Sequence, residues 1–201
     1  MNKNIEKLES YFHQFKYRIK IFEILSKNFD IKNVLYPGSY VDITPSIIFY
    51  DVTYIDNNKI ANSIFKNNIS TVYEIIEKEK KYTSKLNIEF IYSDYWNEMD
   101  LNKSFDLLIS LYAGFVSQAC KKYLKKDGIL FVNDSHGDAT SAYFDNTFEL
   151  IGVIDNNKIF FNSLEQYFIS KKEIDLVKVK NTMKPPKYIK NADFYIFKKV
   201  R

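Results

Sequence analysis

The sequence predicts an α/β fold, a mostly parallel β-sheet with an antiparallel edge, preceded by an amphipathic N-terminal helix. Three observations lead to it. Strand-like and helix-like segments alternate from residue 33 to about residue 144, the order that builds parallel sheets from crossover units. Within that stretch FDLLISLYA, residues 105–113, is an unbroken apolar run of the kind central parallel strands show, because both of their faces are covered. After Phe144 the pattern turns strand-rich, which supplies the antiparallel edge.

The first element is a helix over residues 3–28. Ile5, Leu8, Phe12, Phe15, Ile19 and Phe22 recur at steps of three and four, so they share one helical face that packs on the body. A strand follows at 33–37 and a short helix at about 45–49, with Thr44 suited to the N-cap and Pro45 to the first helical position. The second strand starts at Asp51 in DVTYIDNN. NKIANSIFKN and STVYEIIEKEKKY read as helices, with Ser70 as the cap of the second. NIEFIYSDYW (87–96) is the third strand and 105–113 the fourth. A helix over 115–125 ends before Gly128, and ILFVND (129–134) is the fifth strand. FELIGVI (148–154), NKIFFNS and DFYIFKKV (193–200) are further strands, separated by a short helix near 163–169 and the linker NTMKPPKYIKN.

A length of 201 residues fits a single domain, residues 1–201, with the N-terminal helix packed on a sheet domain from 33 to 201. Apolar residues make up 46 % of the chain, with 16 Tyr and 17 Phe, which supports a substantial core and argues against disorder. No apolar run approaches the ~20 residues that a membrane-crossing helix needs, and residues 1–30 are too charged for a secretion signal. One cysteine, Cys120, excludes an internal disulfide, and a cytoplasmic setting is expected. The net charge of +4 is uneven: residues 171–201 hold 10 Lys/Arg against 3 Asp/Glu, and the rest holds 19 against 22. Such a basic segment can meet nucleic acid or an acidic partner, or form a solvated face.

In open α/β sheets, ligands sit beyond the carboxyl ends of the strands. Those ends read Tyr36-Pro37-Gly38-Ser39-Tyr40, Ile55-Asp56-Asn57, Ser93-Asp94-Tyr95-Trp96, Ser110-Leu111-Tyr112-Ala113-Gly114 and Asn133-Asp134-Ser135-His136. Gly38 lets the backbone approach a ligand where a Cβ would collide. Asp56 lies 18 residues beyond it, near the ~20 at which an acidic side chain accepts from a ribose. As a strand-end carboxylate facing an open crevice, Asp56 is expected to support little packing. Asp94 can accept from an exocyclic amine while Tyr95 or Trp96 lies against a purine face.

The order of these segments resembles the class I S-adenosylmethionine-dependent methyltransferases over about residues 33–154. VLYPGSY stands where that family has its glycine-rich first motif, VTYIDNN at the acidic second, YSDYW at the adenine-side third, FDLLISLYAG at the fourth strand and YLKKDGILFVND at the lead into the fifth. The resemblance implies a Rossmann-like methyltransferase fold of seven strands, the last inserted antiparallel, and S-adenosylmethionine as cofactor. It implies that Gly38, Ser39 and Tyr40 contact the methionine portion, Asp56 the ribose, Asp94 the adenine and Ser110 the bound cofactor, with Tyr36, Asn57 and Tyr95 beside them. The sequence departs from the family in keeping one glycine in the first motif, in a short helix after it, and in lacking an Asn-Pro-Pro-Tyr or Asp-Pro-Pro-Tyr signature at the fourth strand. No pyrophosphate has to be cradled by such a loop, so missing glycines argue more strongly against a nicotinamide dinucleotide.

Methyl transfer needs an acceptor held in line with the sulfonium, and for some acceptors a base. NDSHGDA (133–139) is the most polar cluster in the chain. His136 is the side-chain type that titrates nearest neutrality, with Asp134 or Asp138 to orient it, and Tyr112 is a second candidate at the pocket wall. Two histidines leave little for a transition-metal site, and Cys120, within a helix, reads as a small core residue. The expected activity is methyl transfer to a small-molecule acceptor. The alternatives are a non-catalytic methyltransferase-like partner protein and a nucleic-acid methyltransferase.

Overall fold

The computed structural model describes residues 2–201. Their strands make up an eight-stranded sheet, and the chain divides into two compact units, one running to Met99 and one from Asp100 to Arg201.

In the first unit, α1 (Lys3–Phe15) and α2 (Arg18–Asn28) occupy the span where the spacing predicts one helix. The backbone of Lys16 and Tyr17 keeps helical φ of −55° and −59°, but the Ile19 N–H turns to the carbonyl of Lys16, three residues back. The helix tightens there rather than stopping. Leu8, Phe12, Ile19, Ile21, Phe22 and Leu25 are buried, each worth about 1.5–3 kcal/mol in apolar surface removed from water.

That tightened turn carries Arg18, which is only 2 % exposed and stands 4.2 Å over the Phe15 ring. Its guanidinium pairs with the carboxylate of Asp42. Asp42 also accepts from the Tyr36 hydroxyl at 3.2 Å and from the Thr44 N–H at 3.0 Å. A buried charge pair stands only when its remaining polar sites are satisfied, and removing one partner costs about 3–5 kcal/mol. Thr44 is therefore not an N-cap: it binds Asp42 and is itself the first residue of a 3-10 turn, Thr44–Ile47, with Pro45 in its first positions.

β1 (Asn33–Pro37), β2 (Asp51–Asp56) and β3 (Asn87–Tyr92) run parallel in the order β3-β2-β1, with Val34 opposite Val52 and Val52 opposite Ile88. Between β2 and β3 lie α3 (Lys59–Asn67) and α4 (Ile69–Glu79). The Asn58 side chain caps α3 by accepting from the N–H groups of Ile60 and Ala61. Ser70, expected to cap α4, lies inside its first turn, and Asn68 precedes the helix.

The second unit holds β4 (Phe105–Ser110), α5 (Val116–Cys120), β5 (Leu124–Val132), α6 (Asp138–Tyr143), β6 (Phe148–Asp155), β7 (Lys158–Phe160), α7 (Leu176–Thr182) and β8 (Phe194–Lys199). Its strand order is β4-β5-β8-β6-β7. β4 and β5 are parallel, while β8 inserts antiparallel between β5 and β6, the antiparallel edge that the strand-rich end predicts. The strand beyond the expected seven is the short β7, joined to β6 through Asn156 and Asn157 at φ 49° and 58°. Asparagine tolerates that left-handed geometry, which suits a two-residue hairpin.

Other boundaries differ from expectation: β3 ends at Tyr92 rather than at 96, and β4 at Ser110 rather than at 113. α5 stops at Cys120, where a 3-10 turn takes over, and β5 begins at Leu124, so Gly128 lies inside the strand. A Cβ at Gly128 would meet the Lys125 carbonyl oxygen at 2.9 Å. α7 forms in a stretch given no element from sequence and runs into the first two residues of the expected linker, Asn181 and Thr182; it is capped by Asp175, whose carboxylate accepts from the Lys178 N–H at 2.9 Å. Cys120 is buried, and burial pushes its thiol up to about 12, so it is a core residue held as the thiol.

Candidate functional site

In the first unit the site residues gather where β1 ends. Gly38 has φ 65°, which glycine adopts without the penalty of a Cβ, and its N–H donates to the Ile55 carbonyl at 2.7 Å. Tyr40 follows at φ 50°, a conformation that strains a bulky residue. Asp56 holds it: one carboxylate oxygen accepts from the Tyr40 N–H at 2.6 Å, the other from the Asn58 N–H at 2.7 Å. Asp56 is 8 % exposed and clips the end of β1 to the start of α3. The expectation that it supports little packing is corrected, since two backbone donors depend on it. Each oxygen keeps a second lone pair, so a further donor can still be accepted.

Between Gly38 and Tyr40, Ser39 is 2 % exposed, and its buried hydroxyl has no hydrogen-bond partner among the described residues. Leaving such a group unpaired costs about 1–3 kcal/mol. Tyr36 turns inward to Asp42, and burial, with the Asp42 charge, holds its phenol well above the ordinary range. Its side chain belongs to the core network. Asn57 donates to the Asp94 carboxylate at 3.3 Å, and the Trp96 N–H donates to the other Asp94 oxygen at 3.0 Å. Tyr95 lies beside Trp96, ring centroids 6.0 Å apart. Trp96 is itself exposed.

In the second unit the ends of β4 and β5 carry a matching device. Tyr112 sits at φ 58°, and its N–H donates to Asn133 Oδ1 at 3.2 Å. A backbone N–H can only donate, so the Asn133 atom it meets is the carbonyl oxygen. That oxygen is also 3.1 Å from Ser135 Oγ, so the Ser135 hydroxyl is the donor there. Its proton being spent, Ser135 Oγ accepts from Nδ1–H of His136, 2.9 Å away. The neutral imidazole therefore carries its proton on Nδ1 and presents Nε2 as a lone pair.

The aspartates expected to orient His136 do other work. Asp134 accepts from the N–H and the hydroxyl of Thr140, both at 2.8 Å. Asp138 is 1 % exposed and accepts from the hydroxyls of Ser110 and Ser117 and from the Ser117 N–H. Ser110, expected beside the cofactor, spends its hydroxyl on that bond. Burial pushes both carboxyls up to about 6, against the opposing effect of those hydrogen bonds. Sequence reasoning missed Asp42 and Ser117 and gave Asn133 no role beyond its place at a strand end, because what each does depends on distant partners. The one available signal was that Asn133 stands directly after a buried strand.

Among the described residues, no three His, Cys, Asp or Glu side chains are grouped to hold a metal ion, and no helix is long and apolar enough to cross a membrane. No family model and no curated protein matches the sequence. Solved structures do match. A methyltransferase from Geobacter sulfurreducens is 11 % identical, covers 79 % of this chain and 86 % of its own, and superposes with a TM-score of 0.50. A Corynebacterium glutamicum protein is 8 % identical over 100 % of this chain and 91 % of its own, at TM-score 0.52. Likeness at such identity speaks for the fold. Together with β8 inserted antiparallel between β5 and β6, it establishes that this chain has a Rossmann-like methyltransferase fold.

Proposed function

We propose that the chain binds S-adenosylmethionine at the Gly38–Tyr40 turn and transfers its methyl group to a small-molecule acceptor in a cytoplasmic setting. The observation that carries this reading is the buried, unpartnered hydroxyl of Ser39, held between two residues at positive φ. A polar group of a ligand would satisfy that hydroxyl. The lone pairs left on Asp56 suit ribose hydroxyls, and Asp94, with Tyr95 nearby, suits an adenine amine. S-adenosylmethionine, when bound, supplies an electrophilic methyl group on a sulfonium. His136 is the base of this reading: Nε2 takes a proton from the acceptor, while Ser135 and Asn133 keep the tautomer. Tyr112, 57 % exposed, offers its ring to the acceptor. Asp134 acts at a distance, fixing the start of α6 through Thr140.

Isothermal titration with S-adenosylmethionine and with its demethylated product tests cofactor binding, and no binding at millimolar ligand overturns it. Ser39→Ala sharpens the test. Removing an unsatisfied buried hydroxyl leaves the thermal midpoint unchanged or raises it, while affinity falls about threefold to tenfold. Equal affinity in the variant would remove Ser39 from the site. Label transferred from methyl-labelled cofactor to a small metabolite of a cell extract is the expected sign of catalysis.

A further inference from the structure

A groove of about 1030 Å³ runs along residues 170–189 of the second unit, and the activity proposed above makes no use of it. Lys171, Lys172, Lys178, Lys184 and Lys187 line it, against two carboxylates. All five lysines are exposed, and among the described residues none is in an ion pair. One of the carboxylates, Asp175, is already engaged in capping α7. Five ammoniums against two carboxylates, 5 − 2, leave the groove a net charge of +3, so its field is positive. Its apolar floor includes Val179 and Tyr188, exposed by only 5 % and 7 %.

A metabolite pocket needs polar groups fixed in direction by burial, and here every cation is a mobile ammonium in water. Such ammoniums suit a repeated, delocalised anion. With Tyr188 buried, the groove has no aromatic platform on which a base can stack. We propose that this groove binds the phosphate backbone of a nucleic-acid strand, without selecting bases. The inference is independent of the methyl-transfer reading.

The test is fluorescence anisotropy with labelled oligouridylate and oligothymidylate of equal length, titrated with the full chain. Engagement of three to five lysines by a single strand gives a log–log salt slope of about −2 to −3.5, or a loss of roughly 20- to 130-fold between 50 and 200 mM KCl. Both strands bind within about threefold of each other, since lysine–phosphate contacts do not read sugar or base. The triple variant Lys178→Glu, Lys184→Glu, Lys187→Glu loses more than tenfold in affinity. A control of equal charge change, Lys59→Glu, Lys66→Glu, Lys85→Glu, loses much less. Matching glutamine variants read the same comparison if a glutamate variant melts early. Four results overturn the proposal: salt-insensitive binding, equal losses in the two triple variants, a preference above tenfold for one strand, or competition by polyglutamate as strong as by unlabelled strand. The last would point to an acidic protein instead.

Discussion

Replacing Asp56 with alanine takes away the acceptor of two backbone N–H groups, that of Tyr40 at 2.6 Å and that of Asn58 at 2.7 Å. Hydrogen bonds to a charged group contribute about 1.5–3 kcal/mol each. Both N–H groups are only part-buried, so water recovers some of that, and about 1–1.5 kcal/mol is lost at each. Tyr40, at φ 50°, also loses the bond that holds it in a strained conformation. The expected total is about 2–4 kcal/mol, and for a chain of this size each kcal/mol shifts the thermal midpoint by roughly 2–4 °C. Asp56→Ala should therefore melt about 5–12 °C lower, and Asp56→Asn, which keeps one acceptor oxygen, about half as much lower. Differential scanning fluorimetry reads both. Under the cofactor reading, isothermal titration of the folded variant also shows S-adenosylmethionine affinity reduced tenfold or more. A midpoint within 1 °C of the parent in Asp56→Ala would refute the reasoning, because the clip between β1 and α3 would then carry no energy.

Asp138, raised to about 6 by burial, binds its proton more tightly folded than unfolded. Its contribution is fully present only below the unfolded value of 3.8 and is lost as pH rises through 6, an effect on the order of 1–3 kcal/mol. Urea unfolding of Asp138→Asn minus parent, followed from pH 4 to pH 7, should show that slope, and a flat difference would contradict it. At Gly137, φ is 87° and a Cβ would collide with Val179 Cγ1. Gly137→Ala should thus destabilise by about 2–4 kcal/mol, with partial rescue by Val179→Ala in a double-mutant cycle. Absence of rescue would assign the loss to backbone strain alone.

Local pattern made much of the fold legible. Apolar spacing in 3–28 marks a helical face that is indeed buried at Leu8, Phe12, Ile19 and Phe22, and the run from Phe105 is a strand buried at five of its six positions. These signals need no distant partner, since burial of a strand or a helical face imposes its period on the chain itself. The strand ends were legible for the same reason, and with them the candidate residues.

What those residues do was decided by tertiary structure. Arg18 reads as one more polar position on an amphipathic helix, and only Asp42, 24 residues on, makes it a buried charge. Asp138 looked like a partner for the nearby His136 but meets Ser110, 28 residues back. Asp56 pairs with Tyr40, 16 residues earlier, because the parallel register of β1 and β2 brings both strand ends together. Hydrogen bonds and ion pairs act over a few ångströms of space, and sequence distance leaves no periodic trace of which polar groups will meet. Apolar burial repeats along the chain and so can be read from it, whereas polar partnership is set once, by how the folded strands align.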